Sequence, residues 1–260
     1  MGFLYETHLH TCQSSACGRS TGQEHVRFYK DLGYTGIFVT DHFFGGNTAI
    51  PRELPWSEWV DRFCAGFEDA WNEGQRVGLD VFFAWEETFH GDDYLVYGLD
   101  RDWLKAHPEV RSWSHKQQYE TVRQGGGCVI QAHPFRIRDY IRRIHLADRF
   151  VDGVEVANAG NDAFSDVYAL RYAKEHGFVM TCGSDNHFSV PGVEDRIFGV
   201  ELPERLTCAG DYVRMILDRR PIGLHCPESR FDPAQAVPLA LDPFYINDDE
   251  SLTPADVRWY

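Results

Sequence analysis

Short apolar or β-branched runs alternate along this chain with longer stretches of helical spacing. The runs at residues 3–8, 36–40, 80–86, 94–98, 127–133, 152–158 and 178–184 have strand length and composition, and a further one at 221–226 extends the series. Between them, residues 22–33, 57–74, 114–126, 165–177 and 208–219 carry apolar side chains at helical intervals, and several of these stretches end at glycine, as helices commonly do. The sequence holds no internal repeat. Strand followed by helix, repeated six or seven times, predicts an α/β fold built on a parallel sheet, closed into a barrel or doubly wound. Beyond about residue 227 the prolines Pro227, Pro233, Pro238, Pro243 and Pro254 break the pattern. We therefore expect one barrel-sized domain over residues 1–226 and an irregular, proline-rich tail over 227–260 that packs on its surface.

Polar residues fall in this pattern at particular places. His8 and His10 follow the first apolar run, Asp41 and His42 the second, and Glu86 closes the third. His133 closes the run at 127–133, Glu155 lies within the run at 152–158, and Asp185 and His187 follow the last. A strand sends residues i and i+2 to one face, so His8 and His10 project together. A single histidine at a strand end is more often structural than not. Six strands that each deliver a His, Asp or Glu to one rim, where barrel enzymes place their sites, predict a polynuclear metal site instead. Mixed imidazole and carboxylate ligands with no obligatory thiolate suit Zn, Mn or Fe.

The formal net charge of −15 disfavours a large contact with phosphate backbones, so no nucleic-acid partner is expected. The seven cysteines are irregularly spaced with no CxxC pair, which suits reduced thiols; Cys128 and Cys182 read as small core residues. No basic segment leads into an apolar region at the N-terminus, and no apolar run reaches membrane-spanning length. These features predict a cytoplasmic protein without a membrane partner.

The ordered set HxHT (His8 to Thr11), TDH (Thr40 to His42), Glu86 after an apolar strand, AHP (Ala132 to Pro134) and GSDxH (Gly183 to His187) resembles the four-motif signature of the PHP (polymerase and histidinol phosphatase) superfamily. The match spans residues 5 to 190. The resemblance implies a distorted (β/α)7 TIM-like barrel holding two or three divalent metal ions, and metal-dependent hydrolysis of phosphate esters. Carried over by position, it implies that His8, His10, Glu86 and Asp185 bind one metal. Glu86 bridges to a second that His133 also binds, and His42 with His187 matches a third. A water bridged by two cations would lose its proton near neutral pH and attack phosphorus in line.

Two positions depart from the family pattern. Where many members carry Asp or His soon after HxH, this chain reads Ser14-Ser15-Ala16-Cys17, and Cys17 is the candidate substitute ligand. Where the family often has a fourth-strand His, this chain reads HGDDYLVYG, and Asp93 is the candidate, with His90 second. Of two adjacent carboxylates, alternation and the family pattern select Glu86 for the barrel mouth and turn Glu87 toward the helix layer or solvent. For the substrate's phosphoryl oxygens the candidates are Arg136, Arg19 and Arg196, while Arg138, Arg142 and Arg143 in RIRDYIRRIH read as a solvated helix face. Asp185 or His187 would protonate the leaving oxygen. An acidic domain standing alone favours a small phosphorylated substrate, a monoester, cyclic phosphate or bisphosphate. The alternatives are a metal-dependent nuclease or proofreading-type module and a non-hydrolytic metal-binding regulatory domain.

Overall fold

The computed structural model describes residues 2–257. The chain opens with β1 (Phe3–Glu6), α1 (Gly22–Asp31), β2 (Gly36–Val39), α2 (Trp56–Phe63), α3 (Ala65–Val77), β3 (Asp80–Phe89) and β4 (Asp92–Tyr97). It continues through α4 (Arg101–Ala106), α5 (His115–Gln124), β5 (Cys128–Gln131), β6 (Ile144–Leu146), β7 (Gly153–Asn158), α6 (Ala163–His176) and β8 (Val179–Gly183). Last come β9 (Gly199–Leu202), α7 (Ala209–Leu217), β10 (Gly223–His225), β11 (Pro243–Ile246) and β12 (Leu252–Pro254). Local chemistry sets several boundaries. Thr21 with Glu24, and Ser114 with Gln117, form capping boxes that start α1 and α5. Left-handed Gly78 and Gly177 end α3 and α6.

Among the described residues nine strands form one sheet in the order β10-β9-β1-β2-β3-β4-β5-β7-β8. The sheet curls into a nearly closed, distorted barrel, with β8 lying against β9 and β10. The mouth closes more tightly: His10 N donates to Asn186 O at 2.9 Å and Asn186 N to His8 O at 3.1 Å, joining the segments that follow β1 and β8. Tyr5, Phe38, Tyr97 and Tyr212 fill the barrel, the Tyr212 ring of α7 standing 5.0 Å from Phe38 and 5.1 Å from Tyr97. This apolar floor leaves the ligand-bearing residues at the open end.

The alternation of strand and helix breaks in the middle of the chain. β4 runs antiparallel to both β3 and β5, because His90 (φ 53°) and Gly91 (φ 95°) make a two-residue turn with no helix between β3 and β4. The helical stretch at 57–74 is two helices meeting at Cys64. α2 packs Trp59, Val60 and Phe63 on one apolar cluster while α3 packs Ala70 on another, and one straight helix cannot serve both. Residues 136–143 form no helix; the segment leads into β6, which pairs with β11. The tail is more regular than its prolines suggest, since β11 and β12 complete a three-stranded sheet with β6. Pro243 and Pro254 sit at the outer ends of those two strands, where a missing N–H is tolerated.

Candidate metal centre

The strand alternation of β1 continues past Glu6 through the bridge of Leu9 to Asn186, so Leu9 points to the core and both flanking imidazoles point into the mouth. His8 Nε2 lies 3.1 Å from His10 Nε2 and 3.1 Å from Glu86 Oε1. Asp185 Oδ1 is 3.1 Å from His10 Nε2, and His133 Nε2 is 3.2 Å from Glu86 Oε1. His42 Nδ1 approaches the other oxygen of Glu86 to 2.7 Å. Three overlapping groups result, His8 with Glu86 and His133, His8 with His10 and Asp185, and His10 with His42 and His187. Within each, the ligating atoms lie within 4.8 Å of one another.

The donor set fits divalent cations on its own geometry. His8 Nδ1 is occupied by Glu155 at 3.0 Å and His10 Nδ1 by Ser15 at 3.3 Å, which leaves the two Nε2 atoms facing each other and the carboxylates of Glu86 and Asp185. His42 Nδ1 and Glu86 Oε2 are buried and close, yet neither makes an aligned hydrogen bond. Buried lone pairs converging in this way are expensive unless a cation accepts them. The carboxylate and hydroxyl on the far nitrogens orient the rings as outer partners of metal-bound histidines do.

Electrostatics point the same way. Burial raises the carboxyls of Glu86 and Asp185, but His8 and His42 around Glu86, and Arg136 and His8 around Asp185, hold both well below the usual range. Burial lowers His8, yet Glu155, Asp185 and Glu86 bring it well above an ordinary histidine. His10 stays well below, through burial and the neighbouring His42 and His187. Asp93 is pushed up to about 8 by burial and the charge of Glu86; its Oδ1 accepts from Thr88 and its Oδ2 is 3.6 Å from His133 Nε2. Burial opposes ionisation of Cys17, but His187 and His42 against it bring the thiol down to about 6.

Backbone shape completes the centre. Asp185 (φ 54°) and His133 (φ 27°) both adopt positive φ, which aims two ligand-type side chains at the mouth at a cost of about 1–3 kcal/mol each. A Cβ on Gly183 would lie 2.6 Å from Glu155 Oε1 and 2.7 Å from His8 Cβ, so only glycine allows β8 to approach the His8–Glu155 pair.

The centre opens into a cavity of about 850 Å³ whose walls include Cys17, His42, Asp93, Asp185 and His187. Arg136 and Arg196 line it, and Arg19 does not: its side chain is exposed and only its backbone N–H reaches the site, donating to His187 O. The Arg136 guanidinium is already engaged, Nη2 with Asp185 Oδ2 at 2.5 Å and Asn158 Oδ1 at 3.0 Å, and Nε with Asn161 Oδ1 at 2.7 Å. His90 lies outside the cavity, at the β3–β4 turn. Glu86 points into the mouth; Glu87 points the other way but is buried, not solvated, because its Oε1 accepts from the N–H groups of Gly45 and Thr88 beneath the loop after β2. In the sequence Glu155 is a carboxylate inside an apolar strand, with nothing local to assign it the orientation of His8. Asn158 and Asn161, which hold Arg136, had no local signal at all.

No protein-family model matches this chain, and no curated protein matches it. Solved structures do. A two-domain protein from Bacteroides vulgatus, containing a predicted PHP-like metal-dependent phosphoesterase, superposes with a TM-score of 0.64 at 15% identity over 87% of this chain. The fold is that of the PHP-like phosphoesterases. This chain spans 65% of the length of the Bacteroides protein. A protein from Bifidobacterium adolescentis assigned as a metal-dependent phosphoesterase shares the PHP-like fold at a TM-score of 0.53 and 18% identity, over 83% of this chain and 96% of its own. An amidohydrolase from Chromobacterium violaceum, solved with bound sulfate and no metal, matches at a TM-score of 0.51 and 16% identity over 86% of this chain and 99% of its own. No helix among the described residues is long and apolar enough to cross a membrane.

Proposed function

We propose that this protein is a metal-dependent hydrolase of small-molecule phosphate esters. The observation that carries the reading is the convergence of buried ligand-type atoms, His8 Nε2 against His10 Nε2 and His42 Nδ1 against Glu86 Oε2, at the floor of an open cavity. His8, His10, Glu86 and Asp185 would hold one cation. His133 and Asp93 would complete a second with Glu86, and His42, His187 and Cys17 a third. Divalent ions bound there, Zn, Mn or Fe, would supply a nucleophile from water near neutral pH and neutralise charge on the phosphoryl oxygens.

The chain's own residues do the rest. Glu155 and Ser15 hold the rings of His8 and His10 in one orientation, so the donor geometry is built before substrate arrives. Arg136, pinned by Asn158 and Asn161, offers its remaining Nη1 to the substrate's phosphoryl oxygens. Arg196, at the cavity edge, adds a second cation. Asp185 or His187, both on the cavity wall, would protonate the leaving oxygen.

Metal analysis combined with turnover of phosphate monoesters, cyclic phosphodiesters and single-stranded DNA tests the proposal. At least two metals per chain and faster turnover of small esters are expected. Equal or better activity on DNA overturns the small-ester reading.

A further inference from the structure

A second cavity, of about 440 Å³, adjoins the first. Tyr140, 63% exposed, lines both, and the β3–β4 turn divides them, with Gly91 on the side of the metal centre and His90 on the other. His115, the first residue of α5, and His145 of β6 form part of its wall. In both rings Nδ1 is taken by a carboxylate, Glu250 at 2.7 Å for His115 and Asp92 for His145. The Nε2 of His115 is left buried without a partner, in a residue only 3% exposed. With Nδ1–H donating to Glu250, that Nε2 is an acceptor in want of a hydroxyl.

Two guanidinium groups, Arg142 and Arg143, also line this cavity; neither meets a carboxylate among the described residues, and that of Arg143 lies over the Phe244 ring, 5.4 Å from its centroid. His90, whose ring stands 6.1 Å from that of His115 and 6.4 Å from that of His145, makes no side-chain hydrogen bond among the described residues and holds a positive φ, a conformation that a turn normally gives to Asn or Gly. A cation does not fit here. The metal-like groupings among the described residues all lie at the first cavity, and two guanidinium charges would repel an ion in the second.

We propose that the second cavity is a subsite for an anionic group at the far end of the substrate's alcohol portion. Arg142 and Arg143 bind its charged oxygens, and His115 Nε2 accepts from its hydroxyl. A phosphate monoanion supplies both charge and hydroxyl, whereas a carboxylate supplies only charge, so phosphate is preferred. The inference rests on the phosphoesterase reading of the first cavity, and it specifies what the organic part of the substrate carries.

The test uses the metal-loaded protein and alkyl phosphates of graded chain length whose far end is neutral, a carboxylate or a second phosphate. The wild type is expected to favour the distal phosphate over the neutral end by about 10-fold or more in kcat/KM, the effect of a hydrogen bond to a charged group. In Arg142→Ala/Arg143→Ala, both positions being exposed, that preference is lost while the neutral ester stays within about 2-fold. No preference in the wild type, or equal loss on both esters, overturns the subsite. If no ester is turned over, the phosphoesterase reading has failed and calorimetry with inorganic phosphate decides the subsite alone. The double variant should then bind one phosphate fewer than the wild type, and unchanged stoichiometry refutes the proposal. Loss of a zinc equivalent in His90→Ala refutes it in favour of a metal.

Discussion

Arg136 spends Nη2 and Nε on Asp185, Asn158 and Asn161, so its guanidinium plane is set before any ligand arrives. A fixed fork loses less entropy on binding an oxyanion than a free one. Arg136→Ala is therefore expected to lower kcat/KM by the equivalent of about 1.5–3 kcal/mol with metal content unchanged, read by steady-state kinetics and metal analysis. Loss of metal in this variant would assign Arg136 to holding Asp185 and not the phosphate. Cys17 poses a different question of single-residue chemistry, since its thiol is brought to about 6 by His187 and His42 despite burial. If it ligates the third cation as a thiolate, the cobalt-substituted protein should show a near-ultraviolet sulfur-to-metal charge-transfer band that Cys17→Ser abolishes. A spectrum unchanged by the substitution removes Cys17 from the ligand set.

At the scale of the element, β3 separates two adjacent carboxylates by nothing more than its pleat. Glu86 meets His8, His42 and His133, while Glu87, 4% exposed, accepts from two backbone N–H groups. Glu86→Ala should lose at least one metal equivalent and more than about 10³-fold in kcat, on the order of 4 kcal/mol of barrier. Glu87→Ala should keep its metals and lose about 1–3 kcal/mol of stability in denaturant titration, because it strands the N–H groups of Gly45 and Thr88. The reverse behaviour would mean that β3 is out of register by one. The end of β8 makes a second test. Gly183→Ala forces a methyl against Glu155 and His8, so a lower melting temperature and reduced metal content are expected together, with about 1–3 kcal/mol lost. A variant with wild-type stability and metal content would show that the β8 approach is not as close as these contacts require.

For the molecule as a whole, the candidate metal centre is where the ends of β1, β2, β3, β5 and β8 meet, brought together from residues 8 to 187. Cations bound there stabilise the folded chain by mass action, by about 2.7 kcal/mol when present at 100 times their dissociation constant. For a chain of this size that corresponds to roughly 5–10 °C. Chelation should lower the melting temperature by that amount, and readdition of zinc or manganese should restore it. A melting temperature indifferent to a chelator that demonstrably strips the metal would show that the apo centre is held by its protein contacts alone.

Apolar runs of strand length, helical spacing between them, and the identity of the residue at each strand end are all written within a few consecutive positions. The sequence by itself therefore determined an α/β fold of barrel or doubly wound type, its resemblance to the PHP superfamily selected the barrel, and the strand ends placed His8, His10, His42, Glu86, His133, Asp185 and His187 at one rim. What only the tertiary structure decided depends on partners far apart in the chain. The antiparallel course of β4 follows from a two-residue turn, and β6 exists because β11 pairs with it. The charge spacing of residues 136–145 reads as a helix face, but those non-local contacts set an irregular course that ends in β6. Glu87 is buried because the loop after β2 folds over it, and Arg19 leaves the cavity although it stands close to the ligands in sequence. The second cavity joins His90, His115, Arg142 and Glu250, which no local periodicity connects, because proximity between distant segments is a property of packing and not of spacing along the chain.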